Sequence, residues 1–279
     1  MRVALVTCQR LPELDEDDHE LWTPLRARGL EATPVVWSDP AARWSQYDLL
    51  VIRSTWDYYQ RIGEFLQWID RVGSDHRLWN PREVVRWNSH KSYLKDLEGK
   101  GVPIIPTRFC ADLDAAARAL EEEGWERAVL KPAVSAAAYR THIVTPGALE
   151  DGSGRWTELA ASGELLVQPY EEEVERSGER SLVFFRGVYS HAFRRSSRLV
   201  PTPALVEGSP YRPAAAEIDA ARRALACAPG STLYGRVDLL PDPQGRMRVM
   251  ELEVIEPRLG LRSAAGAADR FAQAILELR

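Results

Sequence analysis

The sequence predicts an α/β protein in which a small N-terminal parallel sheet is followed by two α+β lobes. Three observations carry that expectation. Apolar strands and helical stretches alternate over residues 1–86, a short mixed segment follows, and from Glu179 the pattern turns to long strands around one helix. A chain of 279 residues has room for one or two closely packed domains, or three lobes around a shared cleft.

Taken in order, residues 2–7 read as a buried strand, followed by an acidic loop at 14–18 and a helical stretch to Arg28 that Gly29 ends as a C-cap. Apolar strands at 31–37 and 48–53 and a helix at 62–72 complete a βαβ-like start. A helix is expected over 89–100, with Ser89 as N-cap and Gly101 and Pro103 as its stop. An amphipathic helix at 112–123 and strands at 127–131, 139–145 and 164–168 make a middle lobe. Strands at 181–185, 188–193, 232–240 and 247–255 surround a helix at 214–226, and a last helix covers 265–278. The expected units are therefore 1–86, 87–170 and 171–279.

Composition narrows the function. A formal charge of −5 repels a nucleic-acid backbone, so that partner is excluded, and the basic cluster Arg194, Arg195 and Arg198 suits a nucleotide phosphate or a solvated strand end. Cys8, Cys110 and Cys227 have no metal-ligand or disulfide spacing, which fits a cytoplasmic protein. No apolar run approaches a membrane span, so no membrane partner is expected.

The first strand leads into Cys8-Gln9-Arg10-Leu11-Pro12 rather than a Gly-rich dinucleotide turn, which disfavours a nicotinamide enzyme. Open α/β sheets bind ligands at the carboxyl ends of their strands, and Arg53, Ser54, Thr55, Trp56, Asp57, Tyr58 and Tyr59 leave such an end. These residues are read as substrate contacts, with a hydrogen-bonded corner as the alternative. Arg53 or Asp57 would fix an amino-acid-like group, and the aromatics would limit its size.

Two further features carry chemistry. Val129-Leu130-Lys131-Pro132 places a lysine at the end of a buried strand and leads into the small-residue turn Ser135-Ala136-Ala137-Ala138. Such a lysine calls for an anion, and such a turn lets backbone N–H groups approach one; taken alone, Lys131 reads more readily as a snorkelling surface lysine. The second feature is the strand pair at 234–240 and 249–254. Side chains alternate, so Arg236 shares a face with Asp238, and Glu251 with Glu253. A hairpin at 241–246 would bring three carboxylates and a guanidinium together, an oxygen-only set suited to Mg²⁺.

In this order, Lys91 in Trp87-Asn88-Ser89-His90-Lys91, Val-Leu-Lys131-Pro, Gln168-Pro169-Tyr170-Glu171, Gly235-Arg236-Val237-Asp238 and Glu251-Leu252-Glu253 resemble the ATP-grasp ligases over nearly the whole chain. The strand pair looks like D-alanine–D-alanine ligase, and Asn80-Pro81 with Gly178-Glu179-Arg180 looks like bacterial glutathione synthetase. Arg-Ser-Thr-Trp-Asp-Tyr, Leu-Trp-Asn-Pro, Lys-Pro-Ala-Val-Ser and Ile-Glu-Pro look closest to the group with the cycloserine-forming ligase of antibiotic pathways. The chain departs from the pattern at Ala136, Ala137 and Ala138, where many relatives use glycine, and at Glu253, where Asn is common.

The resemblance implies an ATP-grasp fold with a Rossmann-like N-terminal domain, and an ATP-dependent ligase joining a small acid to an amine through an acyl phosphate. It implies Lys91, Lys131 and Ser135 at the phosphates, Gln168, Pro169, Tyr170 and Glu171 along the adenine, Glu179 at the ribose and Arg180 at the γ-phosphate. Arg194 is a further phosphate ligand, with Arg195 on the opposite face. Asp238, Glu251 and Glu253 would hold Mg²⁺, with Mn²⁺ as its substitute, and Arg236 would stabilise the transferring phosphoryl group. Arg258 is read either as an acyl-phosphate ligand or as a surface arginine. Homo-oligomers are compatible with this reading. Its rivals are a non-catalytic nucleotide-binding protein and an ATP-dependent small-molecule kinase on the same fold.

Overall fold

The structure, a computed structural model, describes residues 1–73, 77–150, 154–197, 199 and 208–278. Three sheets are found among them. The first comprises β1 (Arg2–Thr7), β2 (Glu31–Val36), β3 (Leu49–Ser54) and β4 (Leu78–Trp79), all parallel in the order β2-β1-β3-β4. Helices α1 (Trp22–Ala27) and α2 (Ile62–Val72) connect these strands. β3 is buried throughout, as a parallel strand covered on both faces must be. α2 buries Phe65, Trp68, Ile69 and Val72, an i, i+3, i+4, i+7 stripe that meets Trp37 and Tyr58 in one core.

Helices α3 (Arg82–Asn88) and α4 (Tyr93–Gly99) lead into a second sheet. It is antiparallel, made of β5 (Arg108–Cys110), β6 (Ala128–Pro132), β7 (His142–Val144) and β8 (Leu165–Pro169) in the order β5-β8-β6-β7. Helices α5 (Leu113–Glu123) and α6 (Gly154–Ala160) belong to this lobe. Asp112 caps α5, its carboxylate accepting from the Ala115 N–H at 2.7 Å. The helix expected over 89–100 begins instead at Tyr93, because Ser89 closes α3 and donates its hydroxyl to the Arg86 carbonyl.

The third sheet follows the short helix α7 (Glu173–Ser177). It comprises β9 (Glu179–Phe185), β10 (Val188–Arg195), β11 (Pro210–Tyr211), β12 (Tyr234–Pro241) and β13 (Met247–Glu253) in the order β11-β10-β9-β12-β13. Helix α8 (Ala215–Leu225) packs on β12 and β13. The final helix, α9 (Ala267–Leu276), returns to the N-terminal sheet, where Phe271 and Ile275 join Val3, Leu5 and Leu49 in one core.

β13 is an edge strand whose free backbone groups are nonetheless satisfied. Asn88 donates to the Leu252 carbonyl at 2.8 Å and accepts from the Val254 N–H at 3.0 Å, while the Tyr93 hydroxyl accepts from the Leu252 N–H. Further along, the Val249 N–H donates to Pro103 and its carbonyl accepts from Ile105. A buried strand edge without partners would cost a desolvation penalty at each group, so these contacts hold the strand beside the cleft. Asn80, fully buried, performs the same task at the strand ends, donating to the Tyr234 and Val254 carbonyls and accepting from the Leu233 N–H.

Candidate active site

Two adjoining clefts open here, the first between the second and third sheets and the second between the third sheet and the segment that follows β3. The first is lined by Lys91, Lys131, Ser135, Gln168, Pro169, Tyr170, Glu171, Glu179, Glu251 and Glu253 of the expected residues. The second is lined by Trp56, Tyr58, Arg236 and Arg258, and shares Lys91, Ser135, Glu251 and Glu253 with the first. The shared residues therefore mark the junction where a group bound in one cleft would meet a group bound in the other.

Lys131 faces the first cleft from the end of β6, partly buried and with no ion pair to any described residue. Burial lowers its pKa to about 8. Lys91 is buried and hydrogen-bonded to Glu251, with its backbone N–H on the Ala133 carbonyl. Burial acts to raise Glu251, but the Lys91 and Lys131 ammonium groups outweigh it and hold the carboxyl down to about 2. Glu179 lies at the far end of the same surface, where burial prevails over Arg195 and pushes it up to about 7.

The register of the third sheet explains which arginines face the cleft. Arg195 pairs with Glu179 across β10 and β9, and Arg194 pairs with Arg180. Cross-strand partners share a face, so one pair points in and the other out. The inward pair is Arg195 and Glu179, 3.3 Å apart. Arg180 instead pairs with Glu217 at 2.6 Å, and Arg194 donates to the Ser177 carbonyl, both against Tyr211 on the outer face. Arg180 and Arg194, expected at the phosphates, therefore line neither cleft, whereas Arg195 lines both; Arg198 lies outside the described residues.

β12 and β13 pair as a hairpin with Arg236 opposite Glu253 and Asp238 opposite Glu251. An oxygen from each of Asp238, Glu251 and Glu253 comes within 4.8 Å of the others. Glu251 and Glu253 line both clefts, whereas Asp238 is fully buried beneath them and lines neither. Asp238 accepts from Ser181, Arg236 and Arg195, which occupies its lone pairs. The oxygen-only donor set fits Mg²⁺, with Glu251 and Glu253 open to it and Asp238 open only if Arg195 turns away. The register shifts between Asp238 and Leu239, which makes Met250 the extra residue of a β-bulge. The bulge re-aims Met250 into the first cleft beside Ile105 and Val129, an apolar lining that strand alternation does not reveal.

The residues expected to hold substrate at the end of β3 divide. Trp56 and Tyr58 line the second cleft; Arg53, Ser54, Thr55 and Asp57 do not. Arg53 is buried against Asp18 at 2.8 Å, Ser54 donates to the same carboxylate, and Asp57 accepts from Trp37 Nε1. The physical reason is that the crevice at the strand ends is filled by the chain itself. Five successive carbonyls of residues 255–259 each meet a different side chain: Tyr234 at Ile255, Trp56 at Glu256, Arg53 at Pro257, Arg236 at Arg258 and His191 at Leu259, all at 2.7–2.9 Å. Gly260 closes this loop at φ +62°, where a Cβ would lie 2.5 Å from the Phe193 ring.

The comparisons with known proteins agree with this architecture. The chain is 35% identical to the cycloserine biosynthesis protein DcsG of Streptomyces lavendulae, over 99% of this chain and 98% of that protein. The chain belongs to the DcsG family. Residues 3–80 match the family described as D-cycloserine synthetase DcsG, N-terminal domain. The crystal structure of D-cycloserine synthetase DcsG superposes with a TM-score of 0.91 at 33% identity, covering all of both chains. A RimK-domain ATP-grasp protein from Sphaerobacter thermophilus shares the fold, with a TM-score of 0.72 at 17% identity over 99% of this chain and all of that one. As a DcsG-family member with the ATP-grasp fold, the chain is an ATP-dependent ligase that forms a C–N bond between a carboxylate and an amine. Among the described residues, no helix is long and apolar enough to cross a membrane.

Proposed function

We propose that this ligase closes a small amino acid onto an amine carried by the same molecule, giving a cyclic amide of the cycloserine type through an acyl phosphate. The observation that carries this reading is the junction of the two clefts at Lys91, Glu251 and Glu253. ATP occupies the first cleft, its base against Met250, Ile105 and Val129, its phosphates toward Lys131, Lys91 and Ser135. The acid occupies the second, with its carboxylate toward Arg195 and Arg258. A carboxylate oxygen attacks the γ-phosphorus and ADP leaves; the substrate's own amine nitrogen then attacks the acyl carbon, expels inorganic phosphate and loses a proton. Keeping the nucleophile in the same molecule supplies a high effective concentration, so no second acceptor pocket is needed.

Arg195 is the cation best placed for the transferring group, because it lines both clefts while its Nη1 is held by Asp238 and Glu179. Arg236 is committed to Asp238, Glu253 and the Arg258 carbonyl and acts by holding them in place. Glu251 and Glu253, joined by Asp238, would hold Mg²⁺ or Mn²⁺, which neutralises phosphate charge when bound. The test is ATP with hydroxylamine and a panel of small amino acids, including one whose side chain ends in an oxyamine. ATP-dependent hydroxamate and ADP are expected; stable phosphorylation of a hydroxyl substrate with no hydroxamate would overturn the reading.

A further inference from the structure

Glu256 is a buried carboxyl that the chain leaves without a counter-ion. It is 8% exposed and lines the second cleft, and among the described residues no lysine, arginine or histidine stands within ion-pair distance. The nearby cations are engaged elsewhere: Lys91 with Glu251, Arg236 with Asp238 and Glu253, and Arg258 with Asp15. Burial, then the Glu253 carboxylate, push its pKa well above the usual range, and Lys91 and Arg236 offset this only in part.

A carboxylate in this position costs stability unless it takes up a proton or meets a cation from outside the chain. Its position is also fixed. The Glu256 carbonyl is held by Trp56, and the carbonyls on either side by Tyr234 and Arg53, so the residue has little backbone freedom to turn toward solvent. The rest of the lining includes the aromatics Tyr58, Tyr93 and Trp56 and the cations Arg195 and Arg258. A zwitterion entering it would find cations for its carboxylate and, outside the phosphate junction, one carboxyl whose ionised form its ammonium group would favour.

We infer that Glu256 receives the α-ammonium group of the substrate and makes the enzyme select α-amino acids over acids that lack the amine. Arg53 and Asp57, the sequence-level candidates for that task, are turned away from the cleft, and Glu256 takes their place. The inference rests on the proposed amino-acid reading and adds the residue that enforces it. Forming this charge pair away from water leaves a desamino acid facing an unpaired carboxyl, the situation in which binding sites discriminate most strongly.

The experiment compares two acids bearing the same terminal oxyamine, 2-amino-3-aminooxypropionic acid and 3-aminooxypropionic acid, by ATP-dependent ADP release. The native enzyme is expected to favour the amino acid by roughly 100-fold or more in kcat/KM, mainly through KM. Glu256→Gln should collapse that preference to within about threefold, and Glu256→Asp should retain much of it, which also controls for folding. Equal use of both acids by the native enzyme, or an equal loss on both in Glu256→Gln, would overturn the assignment while leaving the ligase reading intact. No ADP release with either acid, while other acids react, would instead refute the proposed substrate.

Discussion

Arg195 Nη1 lies 3.0 Å from Asp238 Oδ2, and the same nitrogen lies 3.3 Å from Glu179. The guanidinium thus bridges the floor of the hairpin and the first cleft, and the residue lines both clefts. We expect Arg195→Gln to lower ligase turnover by about 100-fold or more, the scale of losing a charged donor to a transition state. Arg194→Gln, on the outer face, should change it by less than about fivefold, consistent with a surface substitution. Steady-state ADP release on both variants checks this, and equal losses would remove Arg195 from the phosphoryl site.

Lys131 gives a pH signature. Its folded pKa of about 8 lies below its ordinary 10.5, so between these values the unfolded chain binds more protons, and this group's contribution makes the free protein more stable as pH rises through that window. Phosphates favour the ammonium form, so ATP binding above pH 8 should take up a proton and weaken as pH increases. Calorimetry in buffers of different ionisation heat measures the uptake. Lys131→Met should abolish it and weaken ATP by at least about tenfold, the scale of a lost charge-assisted hydrogen bond.

Glu251 and Asp238 should separate metal binding from architecture. Glu251→Gln removes an oxygen open to both clefts and is expected to raise the Mg²⁺ concentration needed for half-maximal turnover. Asp238→Asn leaves Arg236 and Arg195 short of a buried anion and should lower the melting temperature strongly, on the scale of about 3–5 kcal/mol for a broken buried pair. Titrating Mg²⁺ against activity, alongside thermal melts, distinguishes the two. The reverse pattern would place the metal on Asp238 first.

The turn after β6 offers a stability test. Ala137 and Ala138 adopt φ +54° and +60°, a left-handed conformation that costs an L-residue about 1–2 kcal/mol. Ala137→Gly and Ala138→Gly are therefore expected to keep or raise the melting temperature, whereas Ala→Gly within a helix lowers stability by about 1 kcal/mol. A clear drop in melting temperature for both would mean the methyl groups pack in a way that outweighs the strain.

Period-2 alternation and strand-end chemistry made Lys131, Glu251 and Glu253 legible in the sequence, because a charged residue on a buried strand has few places to go. The DcsG-type resemblance followed from short motifs in a fixed order. Alternation says which residues share a face but not which face meets the cleft; that Arg195 rather than Arg194 lines it is visible only in the folded third sheet, where Arg195 pairs with Glu179 and Arg194 with Arg180. The bulge at Met250 shifts the alternation by one residue, an event with no glycine or proline to announce it. Arg53 is kept from the cleft for a longer-range reason: the crevice it borders is closed by a loop about 200 positions later, of which it binds the Pro257 carbonyl. Glu256 stands in the Ile-Glu-Pro motif, but nothing in the sequence marks it as lacking a counter-ion, which is a property of three-dimensional neighbours. Local periodicity fixed which side chains each strand offers; only the packing of distant segments, through burial and the pairing of charges, decided which of them remain free to meet a ligand.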